Sequence, residues 1–382
     1  MARCSLSKAK RIVVKVGTNL LVTKEAGLND AFLSDIVRQI MSLRKQGKEV
    51  ILVTSGAIGA GRKRLGISQM PRDAPTKQAC AAVGQGILMR AYDEKFEKLG
   101  QPVAQVLLTE DDFSSRERYL NLKNALDRLL GLGVLPIINE NDTVSIHELE
   151  ERAGWVAQVP FSDNDKLSGL VAAKVHADLL VILSDVDGFY DKNPQIFPDA
   201  KLVPLVPEIT PAIEEMAGGS RSGGRGGMVT KLQGAKIAAS SGVSVVIANG
   251  KAPDALARAV RGEAIGTMFL PKERTLAARK RWIAYASSVK GAISVNECAR
   301  DALRNGKSLL PVGITGCRGE FQARNVVSIE CGKEFALGIC EYSADEVRNA
   351  MGAHTSKVAG ILGKKMQKEV VMHHNLVFSE SF

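Results

Sequence analysis

The sequence predicts an α/β protein in two parts: a mainly parallel central sheet between helices, followed by a small β-rich domain. Three observations predict it. Short β-branched apolar runs alternate with helical periodicities from the N-terminus to about residue 250. Polar and Gly-rich segments repeatedly follow the C-terminal ends of those runs, the edge at which open α/β sheets bind ligands. Beyond residue 281 the rhythm changes to brief runs broken by turns. The expected boundaries are 1–270 for the first domain, 271–281 for a charged, proline-containing linker or connecting helix, 282–365 for the second domain and 366–382 for a tail.

The first run, Arg11–Asn19 (RIVVKVGTN), suits a buried strand, because a central parallel strand need not alternate. Lys15 interrupts it, and a lysine is costly to bury alone. It either meets something negative or snorkels to water from an edge strand, and the stretch alone leaves both readings open. Gly17 then allows close backbone approach. Leu33, Ile36, Val37, Ile40 and Leu43 repeat at helical spacing, with Asn29 or Asp30 as cap and Gly47 as terminator. Glu49–Thr54 reads as a second buried strand running into the small-residue turn Ser55–Gly61. Thr76–Leu99 is a long helix, Val103–Leu108 a strand, Arg116–Leu130 a helix and Val134–Ile138 a strand ending in Asn139-Glu-Asn-Asp142. Ser162–Ala173 is a helix and Leu179–Leu183 a strand ending in Ser184-Asp-Val-Asp-Gly188. Lys231–Ser241 is a helix and Val243–Ala248 a strand. In the second part, Trp282–Tyr285, Ala292–Val295, Val326–Ile329 and Phe335–Tyr342 read as short extended runs, with helices near Asn296–Asn305 and Ala344–Met351. Lys364–Phe382 is mixed and carries no assignment.

Composition narrows the function classes. Of the 382 residues 45% are hydrophobic and 24% charged, ordinary values for a globular protein. No run approaches the ~20 apolar residues of a membrane span, and the basic N-terminus lacks an apolar core with a cleavage site, so a cytoplasmic location is expected. The six cysteines show neither C-x-x-C nor zinc spacing and read as thiols. The net charge is +10. Residues 271–382 carry 17 basic against 11 acidic residues and so hold +6 of it, without a long Lys/Arg block.

The candidate chemistry is that of a phosphate site. No Walker A sequence occurs, and Gly56-x-x-Gly59-x-Gly61 is not the dinucleotide fingerprint. Gly218–Lys231 (GGSRSGGRGGMVTK) is a glycine-rich loop that ends at a helix start. Bare amides plus a lysine at a helix N-terminus suit an anion; a plain surface loop is the alternative. Asn139–Asp142 and Asp163-Asn-Asp165 concentrate carboxylates and amides. These could hold an ammonium, a magnesium ion or a lysine, and the second cluster could simply cap a helix. None of the five histidines falls in a strand-end segment, which disfavours imidazole catalysis. Phosphoryl transfer to a carboxylate fits instead, since the acceptor is already ionised at pH 7 and needs no base.

Taken as an ordered set, the motifs identify a family. Val14-Lys-Val-Gly-Thr18, Val53-Thr-Ser-Gly-Ala-Ile58, Ala82-Val-Gly-Gln85, Arg116-Glu-Arg-Tyr-Leu-Asn121, Pro136–Val144 (PIINENDTV), Asp163-Asn-Asp165 and Gly226–Lys231 (GGMVTK) resemble the glutamate 5-kinase branch of the amino-acid kinase family. Gly306–Ile314 and Gly316–Phe321 resemble the core of a C-terminal PUA domain. The resemblance implies ATP-dependent phosphorylation of the side chain of L-glutamate, with Mg2+ accompanying ATP and no dedicated metal ligand. It implies catalytic roles for Lys15, Lys231 and Asp165, the lysines on the phosphates and the aspartate holding them. Ser55, Asp142 and Asn164 would bind glutamate. Lys15, Ser184, Asp185 and the loop Arg225, Gly226, Gly227, Met228, Val229, Thr230, Lys231 would bind ATP. It further implies a homo-oligomer with proline as feedback inhibitor. RNA binding is the less favoured role for the PUA part, and another kinase of the family, acting on acetylglutamate, aspartate or a nucleotide, is the near alternative. The chain departs from the family pattern where Arg225 replaces threonine, over the long segment Ser145–Phe161 and its continuation into Pro160-Phe-Ser-Asp163, and at Asn296, Cys298 and Arg324-Asn325 of the PUA part.

Overall fold

Strand β1, Arg11–Val16, lies in the middle of an eight-stranded sheet, with Ile12, Val13, Val14 and Val16 all fully buried. The structure is a computed structural model that describes residues 2–23, 27–71, 73–109, 111–114, 116–144, 164–218, 227–272, 280, 283–284, 289–362 and 368–379. The remaining strands, in chain order, are β2 Val22–Thr23, β3 Gly27–Leu28, β4 Glu49–Val53, β5 Val103–Leu108, β6 Leu135–Glu140, β7 Leu179–Ser184, β8 Leu205–Val206, β9 Ser244–Asn249 and β10 Thr267–Phe269. Their order across the sheet is β5-β6-β4-β1-β7-β9-β10-β8. Pairing is parallel from β5 through β9; only β10 meets β9 antiparallel, and β8 follows β10 in parallel. β2 and β3 form a separate two-stranded hairpin.

The connecting helices follow the apolar periodicities. Asp30–Lys45 buries Leu33, Ile36, Val37, Ile40 and Leu43, and the Asn29 side chain caps it by accepting from the Phe32 N–H. Ala74–Glu97 buries Cys80, Gly84, Leu88, Tyr92 and Phe96, a stripe of four-residue steps down one face. Asn164–Lys174 and Met228–Ser240 are small-residue helices buried on most of their surface, as expected of helices that other elements cover.

The chain divides into two units: Met1–Thr109 with Leu120–Arg274, and Glu110–Tyr119 with Thr275–Phe382. The second unit contains a five-stranded sheet of β11 Val289–Val295, β12 Ile314–Gly319, β13 Val326–Cys331, β14 Lys333–Cys340 and β15 Val371–Phe378, in the order β12-β11-β13-β14-β15. Helices Glu297–Arg304 and Ala344–Ala350 stand where the periodicity placed them. Two readings change. Ile283 and Ala284 have helical rather than extended backbone, so the expected run over Trp282–Tyr285 is not a strand there. Val371–Phe378, in the stretch left without assignment, pairs antiparallel with β14. Among the described residues no helix is long and apolar enough to cross a membrane.

Candidate active site

Lys15 is not an edge lysine. β1 runs between β4 and β7, and Lys15 sits in register with Val53 on one side and Ile182 on the other. It is 4% exposed, which rules out the snorkelling reading. Its Nζ stands 2.5 Å from Asp165 Oδ1. Asp165 belongs to the first turn of helix Asn164–Lys174 and is fully buried. The Lys231 ammonium, from the first turn of Met228–Ser240, donates to Asp165 Oδ2 at 3.0 Å, and the Thr230 hydroxyl donates to the same oxygen at 3.2 Å. One carboxylate therefore holds two ammonium groups through its two oxygens, a charge-assisted arrangement.

The two helices reach this geometry because glycine lines their crossing. A Cβ on Gly234 would lie 2.4 Å from the Asp165 carbonyl oxygen, and one on Gly169 would lie 2.4 Å from the Gly234 carbonyl oxygen. Only glycine lets the backbones meet so closely. Burial on its own would raise the Asp165 carboxyl; the ammonium groups of Lys15 and Lys231 outweigh it and hold the group below the ordinary carboxylate range. The triad carries a net charge of about +1 in a water-poor place, where a cation attracts phosphate strongly.

The cleft lined by Lys15 and Lys231 is also lined by amides and a carboxylate. The Asn164 side-chain N–H donates to Ser55 Oγ at 2.9 Å and to Asn139 Oδ1 at 3.1 Å. Asn139 donates in turn to Gln85 Oε1 at 2.8 Å. Ser55 follows β4 and leads through Gly56, whose φ of +98° favours glycine, into helix Ala57–Arg64. Asp142 lies two residues past β6, half-buried, and burial pushes its carboxyl up to about 6. A carboxylate raised by desolvation gains most from a cation arriving in the cleft.

Ser184 ends β7, and the exposed Asp185 accepts from the Asn19 amide at 2.9 Å and from the Ser184 hydroxyl at 3.2 Å. The cleft has a volume of about 340 Å³ and is lined by Lys15, Ser55, Asp142, Asn164, Ser184, Asp185 and Lys231 among the residues singled out from sequence. Gly227, Met228, Val229 and Thr230 form the start of the helix that carries Lys231, with Thr230 turned to Asp165 and to the Gly227 carbonyl. Arg225, Gly226, Asp163 and the long Ser145–Phe161 segment lie outside the described residues. Sequence reasoning gives no individual role to Asn19, Gln85, Asn139 or Glu140. Asn139 and Glu140 stand in a flagged cluster, and Gln85 in a flagged motif.

Among the described residues no group of three or more His, Cys, Asp or Glu side chains could hold a metal ion. Magnesium needs no such cage: one or two carboxylates plus nucleotide phosphates suffice. The exposed Asp185 at the cleft supplies a carboxylate of that kind.

Comparison with known proteins places the chain in a family. The amino acid kinase family model matches residues 10–249, and the PUA domain model matches residues 291–362. A glutamate 5-kinase of Geobacter sulfurreducens is 48% identical over 377 residues, covering 97% of this chain and 98% of that protein. Glutamate 5-kinases of Caldanaerobacter subterraneus and Pelobacter propionicus are 46% and 45% identical, over 97% and 99% of this chain and 98% and 100% of theirs.

Proposed function

The chain belongs to the amino acid kinase family, and from that premise we propose how its cleft works. The activity is the ATP-dependent phosphorylation of the side-chain carboxylate of L-glutamate to L-glutamate 5-phosphate, the first step of proline biosynthesis. The observation that carries this reading is one cleft lined by the two ammonium groups of the Lys15–Asp165–Lys231 triad and by Ser55, Asn164 and Asp142. Cations for phosphate share it with a carboxylate and amides suited to an amino acid.

In the reaction one side-chain carboxylate oxygen of glutamate bonds to the γ-phosphorus of ATP, and the bond from that phosphorus to the β,γ-bridging oxygen breaks. ADP leaves with the electron pair. The nucleophile is ionised at pH 7 and carries no proton to remove, which matches a cleft lined by no histidine among the described residues. The work left to the protein is positioning and charge stabilisation. Lys15 and Lys231 neutralise the transferring group, and Asp165 keeps both ammonium groups in place. Asp142 takes the substrate ammonium, while Ser55 and Asn164 orient its polar groups. Gly227 and the first-turn amides of Met228, Val229 and Thr230, continuing Arg225 and Gly226, border the nucleotide phosphates, with Ser184 and Asp185 beside them. Mg2+ accompanying ATP would supply further charge neutralisation at the phosphates, and Asp185 would be the carboxylate to meet it.

Purified protein given ATP, Mg2+ and glutamate, with hydroxylamine as trap, should form γ-glutamyl hydroxamate, and ADP release should be faster with glutamate than with acetylglutamate, aspartate or a nucleotide. Absence of a glutamate-dependent acyl phosphate would sink the reading. The same assay titrated with proline tests feedback inhibition, a reading supported by proline being the end product of the route; a flat titration removes it. We place the enzyme in the cytoplasm as a homo-oligomer on the motif resemblance. The cleft lies wholly in the first unit, so we assign the PUA part to stability or regulation ahead of RNA binding.

Asp142 gives the reaction a pH signature. A carboxyl near 6 in the free cleft is protonated below that pH and loses its attraction for the substrate ammonium. kcat/KM for glutamate should therefore fall about tenfold per pH unit below 6. kcat at saturating glutamate should break at lower pH, because the bound ammonium favours the ionised carboxylate. In Asp142→Asn the glutamate KM should rise and the break near 6 should vanish; a break that survives in that variant assigns the titration elsewhere.

A further inference from the structure

We propose that Gln85 is a positioning residue that sets the direction of an amide chain in the glutamate side of the cleft, and through it the preference for a substrate bearing an ammonium group. The inference deepens the reading of the cleft as a glutamate site. Gln85 Oε1 accepts from Asn139 Nδ2 at 2.8 Å. A side-chain amide has its donor and acceptor on opposite sides, so this bond fixes which way Asn139 faces. Its Oδ1 must then point to Asn164, whose Nδ2 donates to it at 3.1 Å and to Ser55 Oγ at 2.9 Å. With its N–H groups so engaged, Asn164 has only its Oδ1 left to offer, and that oxygen is buried without a hydrogen-bond partner among the described residues. Because Ser55 Oγ is used as an acceptor, its O–H is left to donate.

The result is a cleft wall of defined polarity. Asn164 Oδ1 and the Asp142 carboxylate are acceptors for an ammonium, and the Ser55 hydroxyl is a donor for a carboxylate. Reversal of the chain at Gln85 would turn the Asn164 N–H groups toward the ammonium, donor against donor. Leaving a buried acceptor or donor unmatched is what makes such sites discriminate strongly.

The fold supplies the reach. Gly84, next to Gln85, packs so tightly on the Ser55–Ala57 turn that a Cβ there would stand 1.8 Å from the Ala57 carbonyl oxygen, and one on Gly61 would stand 1.8 Å from the Cys80 carbonyl oxygen. Two turns along the same helix, the buried Tyr92 hydroxyl is 3.0 Å from Thr54 Oγ1, just before Ser55. Helix Ala74–Glu97 thus grips both strand ends that carry the glutamate residues, at Asn139 and at Thr54.

The test compares Gln85→Met, which keeps the length and loses the acceptor, Gln85→Lys, which offers donors only, and Gln85→Glu, which keeps an acceptor. The readouts are glutamate KM, ATP KM, kcat, Tm and inhibition by glutarate, which lacks the ammonium. In Gln85→Met glutamate KM should rise about tenfold, with ATP KM and kcat changed less than about twofold and Tm nearly unmoved. Gln85→Lys should do the same or more, and it carries the test if Gln85→Met does not fold. Gln85→Glu should restore KM to within about threefold, and in the Met and Lys variants glutarate inhibition should weaken less than glutamate binding does. Unaltered glutamate KM in both Met and Lys variants overturns the proposal. So does a joint fall of kcat, ATP KM and Tm without a split, or glutarate weakened as much as glutamate. If the wild type itself does not turn over glutamate, the reading of the site fails first, and the two failures are told apart.

Discussion

Lys231→Ala should lower kcat by about 10³-fold while moving glutamate and ATP KM by less than about threefold. The ammonium stands at the start of a helix, 3.0 Å from a fully buried carboxylate, and in the proposed role it meets charge that spreads over the transferring phosphoryl group. On the proposed reading, ATP in the ground state has other partners, among them Lys15 and the first-turn amides. An interaction realised mainly in the transition state appears in kcat rather than KM. Stability should change little. With Lys231 gone, Asp165 still faces Lys15 at 2.5 Å, so one buried anion keeps one buried cation, and apparent Tm should fall by no more than about 4 °C. Lys231→Arg should not rescue the rate, because a planar fork cannot place one point charge where the ammonium sat. A variant with normal kcat and a raised KM would show Lys231 to be a binding residue, and a collapse of Tm would show it to be a structural one.

Part of this arrangement is legible in the amino-acid sequence. Lys15 stands out as a charge inside a β-branched run, and Lys231 as the end of a glycine-rich loop. Their convergence on Asp165 is not legible from residue chemistry, since it depends on the helix crossing at Gly169 and Gly234, and a glycine in a small-residue helix looks like any other. Asp165 reads equally well as a helix cap. Gln85 falls in a matched motif but shows no role there: an amide on a long helix is usually a solvent-facing residue, and it is the close packing of its neighbour Gly84 that brings it to Asn139. The fold is clearest where apolar runs are long. β10 has three residues, too few to show a period. β15 hides behind the polar His373-His-Asn375, whose Asn375 is fully buried and donates to Glu341.

Asp165→Asn should cost both rate and stability, and the pH dependence of the stability loss should reveal its cause. The substitution keeps the volume, but one side of the amide is a donor, so one of the two ammonium groups then meets an N–H where it had met an oxygen. Two buried cations remain with no anion between them. Breaking a buried ion pair by removing one partner costs about 3–5 kcal/mol, which for a domain of this size is a fall in Tm of about 10 °C. kcat should drop at least about 10²-fold as the ammonium groups lose their placement, whereas ATP KM should stay level or fall, since the site gains positive charge. The sign of the pH effect follows from the direction of the shift. Asp165 is held below the ordinary carboxylate range when folded, so its stabilising contribution is present above the unfolded value of about 3.9 and is lost as pH falls through the folded one. The gap in stability between wild type and Asp165→Asn should accordingly be flat from about pH 5 to 8 and close below about 4. A gap that widened on acidification would mean that Asp165 is held protonated rather than ionised. The ion triad would then not be the device that places the two lysines on the phosphate.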